Sequence, residues 1–578
     1  MKFAKFKIKG MTCDHCAQTI AKKFSGNEGI ITKDIDYNSG TGKFEFDPDK
    51  TDKDQIAALI NSTGHYRVER EISEEAIVNN TDETKSYKAN TLPFEEDLGS
   101  ASSIPLGGAG DGLFDFIIIG GGSAAFSAAI KAESLGLSTL MVNGGLNFGG
   151  TCVNVGCVPS KNLIRAAETA YHATHSNFAG IKPKGVDIDF AQVIKDKKRL
   201  VATLQQKKYL DVVGDFENLK MVQGWAEFVD TKTILVDGKD KYTALKFLIA
   251  TGATTNIPDI KGLNEVNYLT NVSLFDLEEQ PKSMIVLGGG YIALEIAQAY
   301  HRLGTKVTLL QRSAQVLSKQ TTEVAEELTS HLRNEGLEIY TSLNFIEVSE
   351  NTEKISVVAE HEGGRKVFEA QKILVSTGIK PNTNKLGLQN IGLELDGGGH
   401  ILVNDKMETN LHNIYAAGDC INTPAYVYTA AFEGKIAVEN AFTGTENKAD
   451  YSSLPWVVFT DPQVAGTGLD EAQAKAQNIP FEVSKLELKD VPRAIAANDT
   501  RGFIKLIRNI ETDKLIGARV VAPEGGELIQ QLSMAIKHGG TIKELAESLY
   551  PYLTLSEGIK LAAIAFDKDV ATLSCCAV

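Results

Sequence analysis

Sulfur carries the most pointed chemistry in this sequence. Its seven cysteines form three close pairs and one single residue: Cys13 and Cys16 in GMTCDHC, Cys152 and Cys157 in GGTCVNVGCVPSK, Cys575 and Cys576 in the closing TLSCCAV, and Cys420 in AAGDC. Seven cysteines in 578 residues do not make a disulfide scaffold, and close pairs in a reducing compartment suit metal capture or redox exchange. Cys13 and Cys16, on a loop leading into a helix, can grip one soft ion; His15 between them reads as an exposed side chain. Cys152 and Cys157 stand at the start of a predicted helix. Modest bending would bring them within disulfide reach, and a helix N-terminus lowers a thiol's pKa, making it a better nucleophile and metal ligand. Lys161, one turn beyond Cys157, adds positive charge. Cys575 and Cys576 lie three and two residues from the end of the sequence. Cys420 reads as structural.

Two glycine motifs frame this chemistry. DFIIIGGGSAAFSAAI…STLMVN and SMIVLGGGYIALEIAQ…KVTLLQR are each read as strand, glycine turn, helix, strand. Gly120 to Asn143 and Gly288 to Gln311 both span 23 positions. In the first copy Gly120 permits the tight turn, Gly122 admits a pyrophosphate, and Ala125 lets helix and strand pack closely; Gly288, Gly290 and Ala293 repeat the pattern. The helix N-terminus offers free N–H groups to phosphate. Where an acidic residue would hold a ribose 2′-hydroxyl, the first copy has Asn143, which can bond a ribose without charge assistance. The second has Gln311 and then Arg312, a guanidinium suited to a 2′-phosphate. This favours NADPH over NADH at the second site. The Thr-Gly turns at Thr251–Gly252 and Thr377–Gly378 mark where the chain enters and leaves the second nucleotide domain. Gly418 and Asp419 follow a further strand, and a carboxylate there could hold the ribityl chain of a flavin.

These residues need elements to position them. Residues 1–70 alternate as strand, helix, strand, strand, helix, strand, a ferredoxin-like βαββαβ module, with Thr51 as N-cap and Gly64 as the stop of its second helix. Residues 71–112 are polar and acidic and read as a flexible linker. Beyond them the texture is α/β. The expected fold is two Rossmann-like FAD/NAD(P)-binding domains plus an α+β dimerisation domain, behind the metal-binding module. The boundaries are 113–255 for the first part of the FAD domain, 256–378 for the NADPH domain and 379–446 for the rest of the FAD domain. Residues 447–578 form the dimerisation domain and cysteine tail. A net charge of −15 argues against nucleic-acid or anionic-membrane partners. No window has the apolar length of a membrane span and no secretory signal is evident, so a cytoplasmic protein is expected.

Taken together, GGTCVNVGCVPSK, the two nucleotide motifs and AAGDC resemble the flavoprotein disulfide reductase family over about residues 113–578. Residues 3–70 resemble heavy-metal-associated domains. The resemblance implies FAD at the first site, NAD(P)H at the second, and electron flow through flavin to the Cys152–Cys157 disulfide. Cys157 would face the flavin and Cys152 would be the exchanging thiol. Gly150, Thr151, Lys161, Thr251, Gly252, Gly378, Gly418 and Asp419 would line the cofactors. Lys161 and Glu295 would pair near the flavin, and Tyr291 would gate the nicotinamide pocket.

The substrate is read from a departure. Disulfide-reducing members of the family protonate the leaving thiolate with a histidine in His-Pro-Thr, followed by a glutamate. Here YPYLTLSEG keeps Glu557 but has Tyr552 and Leu553 at the His and Pro positions. A phenol is a poor general acid at neutral pH. The sequence is more similar to the mercury-reducing branch of the family, also in VPRAIAANDTRGFIKL and the paired-cysteine tail. That similarity implies Hg(II) as substrate, delivered as thiol complexes, with Tyr209 and Tyr552 beside the metal. Soft Hg(II) prefers thiolate ligands. The implied metal-binding residues are Cys13 and Cys16, Cys575 and Cys576, and Cys152 and Cys157, passing the ion inward by ligand exchange. It further implies a homodimer in which one subunit's tail serves the cysteine pair of its partner. A membrane mercury transporter or a small mercury-binding protein would be the donor. The alternative is a thioredoxin-reductase-like or other flavoprotein disulfide reductase acting on a thiol or disulfide.

Overall fold

The computed structural model describes residues 2–9, 20, 23–24, 29–36, 41–62, 67–71 and 113–570. The chain divides into two units, residues 1–103 and 104–578. In the first, four antiparallel strands line up in the order Ile30–Asp36, Thr41–Phe46, Lys2–Lys9, Arg67–Glu71. Alternation puts Ala4, Phe6 and Ile8 inside, opposite Phe44 and Phe46, where Ile20, Phe24, Ile56 and Ile60 complete the core. This is the sheet order of the βαββαβ module. The helix Lys53–Asn61 is capped by Asp52, whose side chain accepts from Gln55 N. The expected cap, Thr51, instead donates its hydroxyl to Gln55 Oε1 at 3.1 Å. Both residue types cap helices, and the shorter reach to the third amide decides between them. Cys13, His15, Cys16, Gly64 and the 72–112 stretch lie outside the described residues.

In the second unit, Leu113–Ile119 is nearly all apolar because it runs in the middle of a parallel sheet covered on both faces. It pairs with Thr139–Asn143 on one side and Asp240–Ile249 on the other. Leu219–Gln223 extends one edge, Ile414–Ala416 pairs with Asp240–Ile249, and two antiparallel strands add to the other side. The helix Ser123–Ser134 follows the first glycine turn and packs against Val427–Phe442. Gly434 makes that approach possible, since a Cβ there would meet Ala124 O at 2.3 Å.

A second parallel sheet, Glu338–Tyr340, Lys306–Leu310, Ser283–Leu287, Lys372–Val375, carries the helix Tyr291–Arg302 after its glycine turn. The chain enters and leaves this region through a two-stranded ribbon, Ala253–Thr255 against Ile379–Pro381. Thr251 and Thr377 brace the ribbon by donating their hydroxyls to Asn382 O and Asn256 O. A five-stranded antiparallel sheet, ordered Trp456–Val458, Gln463–Gly468, Leu515–Ala522, Phe503–Asn509, Phe481–Glu487, forms the last layer. The helices Gly525–Lys537 and Glu557–Ile564 contribute to its core. The α/β architecture expected from the sequence is therefore present.

Candidate active site

Cys152 and Cys157 stand at the meeting point of the first sheet and its neighbours, but not on one helix as the sequence suggested. Cys152 lies in the short helix Gly150–Val155, and Cys157 is the first residue of Cys157–Thr174. The break falls at Gly156, where a Cβ would meet Thr151 O at 2.8 Å. The short helix is docked on the first glycine turn. Gly149 N donates to Gly121 O at 2.7 Å, and a Cβ on Gly150, whose φ is +63°, would strike Gly122 Cα at 2.6 Å. The redox segment is thus fixed against the nucleotide motif by contacts that leave no room for side chains.

Both cysteines are half-buried thiols that share a hydrogen bond. That bond, with help from the Lys161 ammonium, outweighs burial and brings the Cys157 pKa down to about 7. Cys152, the donor, is pushed far up by the same bond and by burial. The geometry therefore assigns the thiolate to Cys157. Lys161 Nζ lies 2.7 Å from Glu295 Oε2 and 4.5 Å from the Phe459 ring centroid. The other Glu295 oxygen accepts from Phe459 N at 3.0 Å. The expected Lys161–Glu295 pair is thus present, and it ties the redox helix, the second glycine-motif helix and the last sheet together.

Tyr209 sits in a π-helical turn, Gln206–Leu210, at the end of Phe190–Gln205. The extra residue per turn aims its ring edge-on at Phe126, 5.0 Å between centroids, and its hydroxyl 3.5 Å from Ser123 Oγ. Burial raises its phenol's pKa, and the neighbouring cysteine pair adds to the effect, which places Tyr209 within electrostatic reach of the Cys157 thiolate. Tyr552, Leu553 and Glu557 form a second group on the turn before Glu557–Ile564. Leu553 has φ +61° and donates its backbone N–H to the buried Glu557 carboxylate at 3.3 Å, while Tyr552 is 51% exposed. Cys575 and Cys576 lie outside the described residues. Cys420 is fully buried against Ile249 O and Ala417 O, and burial pushes its thiol up to about 12, as suits a structural cysteine.

Residues 114–434 match the family described as pyridine nucleotide-disulphide oxidoreductase, and residues 454–563 match its dimerisation domain. The chain belongs to this oxidoreductase family. Residues 5–65 match the heavy-metal-associated domain. A protein of Staphylococcus aureus named mercuric reductase is 39% identical over 99% of both chains. One of the same name from Streptomyces lividans is 40% identical over 80% of this chain and 98% of its own. Among solved structures, the HOCl-induced flavoprotein disulfide reductase RclA from Escherichia coli superposes with a TM-score of 0.69 at 26% identity, covering 77% of this chain and 98% of that one.

The family works with a flavin and NAD(P)H, and two glycine turns of this oxidoreductase have the open geometry that a dinucleotide needs. Gly120 at φ +134° and Gly288 at φ +115° occupy equivalent turns, where a Cβ would strike Ala250 O at 2.1 Å and Ser376 O at 2.2 Å. Space opens in front of Gly122 and Gly290, where a Cβ would meet nothing closer than 3.8 Å. Ala125 and Ala293 are fully buried beneath their strands. Asp419 is a half-buried carboxylate whose pKa burial raises, and it accepts no hydrogen bond from a described residue, so it suits a hydroxyl-bearing ligand. Its turn is fixed from behind by Glu433, which accepts from Gly418 N at 2.7 Å and Tyr451 OH at 2.6 Å.

Asn143 is buried at the end of its strand. Its amide donates to Leu146 O at 2.7 Å and Gln223 Oε1 at 3.2 Å, leaving Oδ1 beside Gly121 as an acceptor. Arg312 is exposed and enters no ion pair among the described residues. Tyr291 stacks on Trp456, 5.6 Å between centroids, and its hydroxyl accepts from Gln320 Nε2 at 2.9 Å and bonds Tyr426. Tyr426 in turn stacks on Tyr428. Glu433, Tyr426, Tyr428 and Trp456 carry no local motif, and sequence reading passed over them.

Proposed function

We propose that this chain reduces Hg(II) to Hg(0) at the expense of NADPH, with FAD as its resident cofactor. The balance is Hg(II) + NADPH giving Hg(0) + NADP⁺ + H⁺. One observation carries the reading: kinship over the full length with proteins named mercuric reductase. It agrees with Tyr552 in YPYLTLSEG, read as standing where disulfide-reducing members carry a proton-donating histidine. A cation that leaves as a neutral atom requires no proton, whereas a leaving thiolate does.

Bound FAD would supply the two-electron passage between nicotinamide and sulfur. Gly120, Gly122 and Ala125 would hold its pyrophosphate, Asn143 its ribose, Asp419 its ribityl hydroxyls, and Gly150, Thr151 and Lys161 its reactive end. Gly288, Gly290 and Ala293 would hold the NADPH pyrophosphate, and Arg312 would grip the 2′-phosphate. Tyr291 would cover the nicotinamide pocket. Cys157 would offer its thiolate and Cys152 would exchange ligands with the incoming metal. Tyr209 and Tyr552 would flank the ion. The subunits would pair through the family's dimerisation domain in a cytoplasmic homodimer. The domain limits 1–70, 71–112, 113–255, 256–378, 379–446 and 447–578 organise this chemistry. Mercury would arrive on small thiols, or from a membrane mercury transporter or small mercury-binding protein, and Cys13–Cys16 and Cys575–Cys576 would collect it.

NADPH consumption measured with Hg(II) plus excess thiol, with glutathione disulfide and with a protein disulfide tests the reading. Turnover is expected only with mercury; faster turnover with either disulfide would replace this function by the thioredoxin-reductase-like one. The tail makes a separate prediction. Two linked thiolates compete with free thiols by local concentration, an advantage of about 10²-fold. The Cys575→Ala, Cys576→Ala double variant should therefore keep flavin reduction by NADPH but turn over thiol-bound mercury slower by that order. Unchanged turnover would remove the relay role.

A further inference from the structure

Trp225 is 60% exposed, an unusual position for an indole in a protein with only two tryptophans. It is nevertheless firmly held. Its backbone N donates to Asp237 Oδ1 at 2.8 Å, and Asp237 N donates to Trp225 O at 2.9 Å. The preceding residue, Gly224, donates its N–H to Asn143 O at 2.9 Å, and Gln223 receives the Asn143 amide. Trp225 is thus bound to the end of the strand where a dinucleotide's ribose is held.

Its ring lies along the two residues that follow Asn143. A Cβ on Gly144 would meet Trp225 Cδ2 at 2.8 Å and Cε3 at 2.9 Å; one on Gly145, at φ +90°, would meet Cη2 at 3.3 Å. Two successive glycines therefore make room for an indole that is left largely open among the described residues, with Lys385 Nζ at 5.8 Å from its centroid. A ribose held at Asn143 would carry its base toward this surface, because Trp225 is tied to the end of the same strand.

We infer that the Trp225 indole is the stacking wall for the adenine of FAD. The inference rests on the proposed FAD at the first glycine motif. Asn143 offers the ribose a neutral amide in place of a carboxylate, so ribose recognition loses its charge assistance. An aromatic–base stack supplies affinity of its own without needing charge.

The test is titration of flavin-free protein with FAD and, separately, with FMN, which lacks the adenosine. Trp225→Ala should weaken FAD about ten- to hundredfold, the worth of one stacked base, and leave FMN affinity unchanged. Trp225→Phe should retain most of the FAD affinity. In a Trp456→Phe background, the remaining indole's emission should be quenched more by FAD than by FMN. Native FAD affinity in Trp225→Ala would overturn the stacking role while leaving FAD as cofactor. Equal loss for FAD and FMN would overturn it as a general distortion. Failure of the native flavin-free protein to bind FAD would sink the underlying reading as well.

Discussion

Serine in place of Cys157 is expected to cut mercury turnover by about 10⁴-fold or more, the order seen when one member of an interdependent catalytic unit is removed, while NADPH still reduces the flavin. The reason lies in the distribution of the proton between two sulfurs. Cys152 keeps its proton and donates it in a hydrogen bond; Cys157, at about 7, is half thiolate at neutral pH. A serine hydroxyl in its place would remain protonated and cannot ligate a soft ion. The pH dependence follows in sign. The Cys157 pKa is lowered, so its thiolate dominates above pH 7 and declines toward tenfold per unit below it. Alkylation of the reduced enzyme should follow that curve. Cys152→Ala removes the largest lowering influence, so the Cys157 profile should move to higher pH. Rapid-reaction absorbance of the flavin separates the two half-reactions: a Cys157→Ser enzyme with normal mercury turnover would refute the assignment.

The parts of this site that sequence disclosed are those in which a short stretch of chain sets its own geometry. Gly120 and Gly288 show it: each has a left-handed φ and a carbonyl within about 2 Å of where a Cβ would stand, so only glycine can occupy the turn and the pattern survives in the letters. Lys161 was legible for the same reason, one helical turn from Cys157. The helix break was not. Nothing in TCVNVGCV distinguishes a glycine inside a helix from one at which two helices meet, and contact with Thr151 O decides it. Glu433, Tyr426 and Trp456 were invisible because their partners are far away in sequence. Glu433 meets Gly418 across a helix–turn boundary, and Trp456 reaches Tyr291 from another sheet. The Thr51 cap failed on a finer point, since Thr51 and Asp52 are adjacent and both types cap helices, aspartate the better of the two. The family and fold could be read from motif order; the support around the motifs required tertiary contacts.

That support suggests a stability experiment on the helix Tyr291–Arg302. Residues 291, 295, 298 and 302 recur at helical spacing and face the same neighbours. Tyr291 and Glu295 serve the site. Gln298 exchanges two hydrogen bonds with the Asp461 backbone, each 2.8 Å. Arg302 grips Glu335 through two nitrogens, at 2.6 and 3.0 Å, reaches Asp461 at 2.9 Å, and lies 4.1 Å from the Tyr171 ring centroid. Arg501 holds the other Asp461 oxygen at 2.8 Å. The Arg302 side chain is 3% exposed and that of Glu335 6%, so Arg302→Met would leave a buried carboxylate held only by the Gln298 amide and, at 3.9 Å, Arg501, rather than remove a surface pair. The expected cost is about 3–5 kcal/mol, read as a shift in the denaturant midpoint. Much of it should return in the Arg302→Met, Glu335→Gln double variant, because neutralising the stranded charge removes its desolvation penalty. The same loosening should reach the chemistry, since Glu295 lies two turns away on the same helix and anchors both Lys161 and Phe459. A variant that loses stability yet keeps native mercury turnover would show that the clamp and the Lys161–Glu295 pair act independently. Loss of both would show that one helix face holds the gate, the ion pair and the last sheet in register.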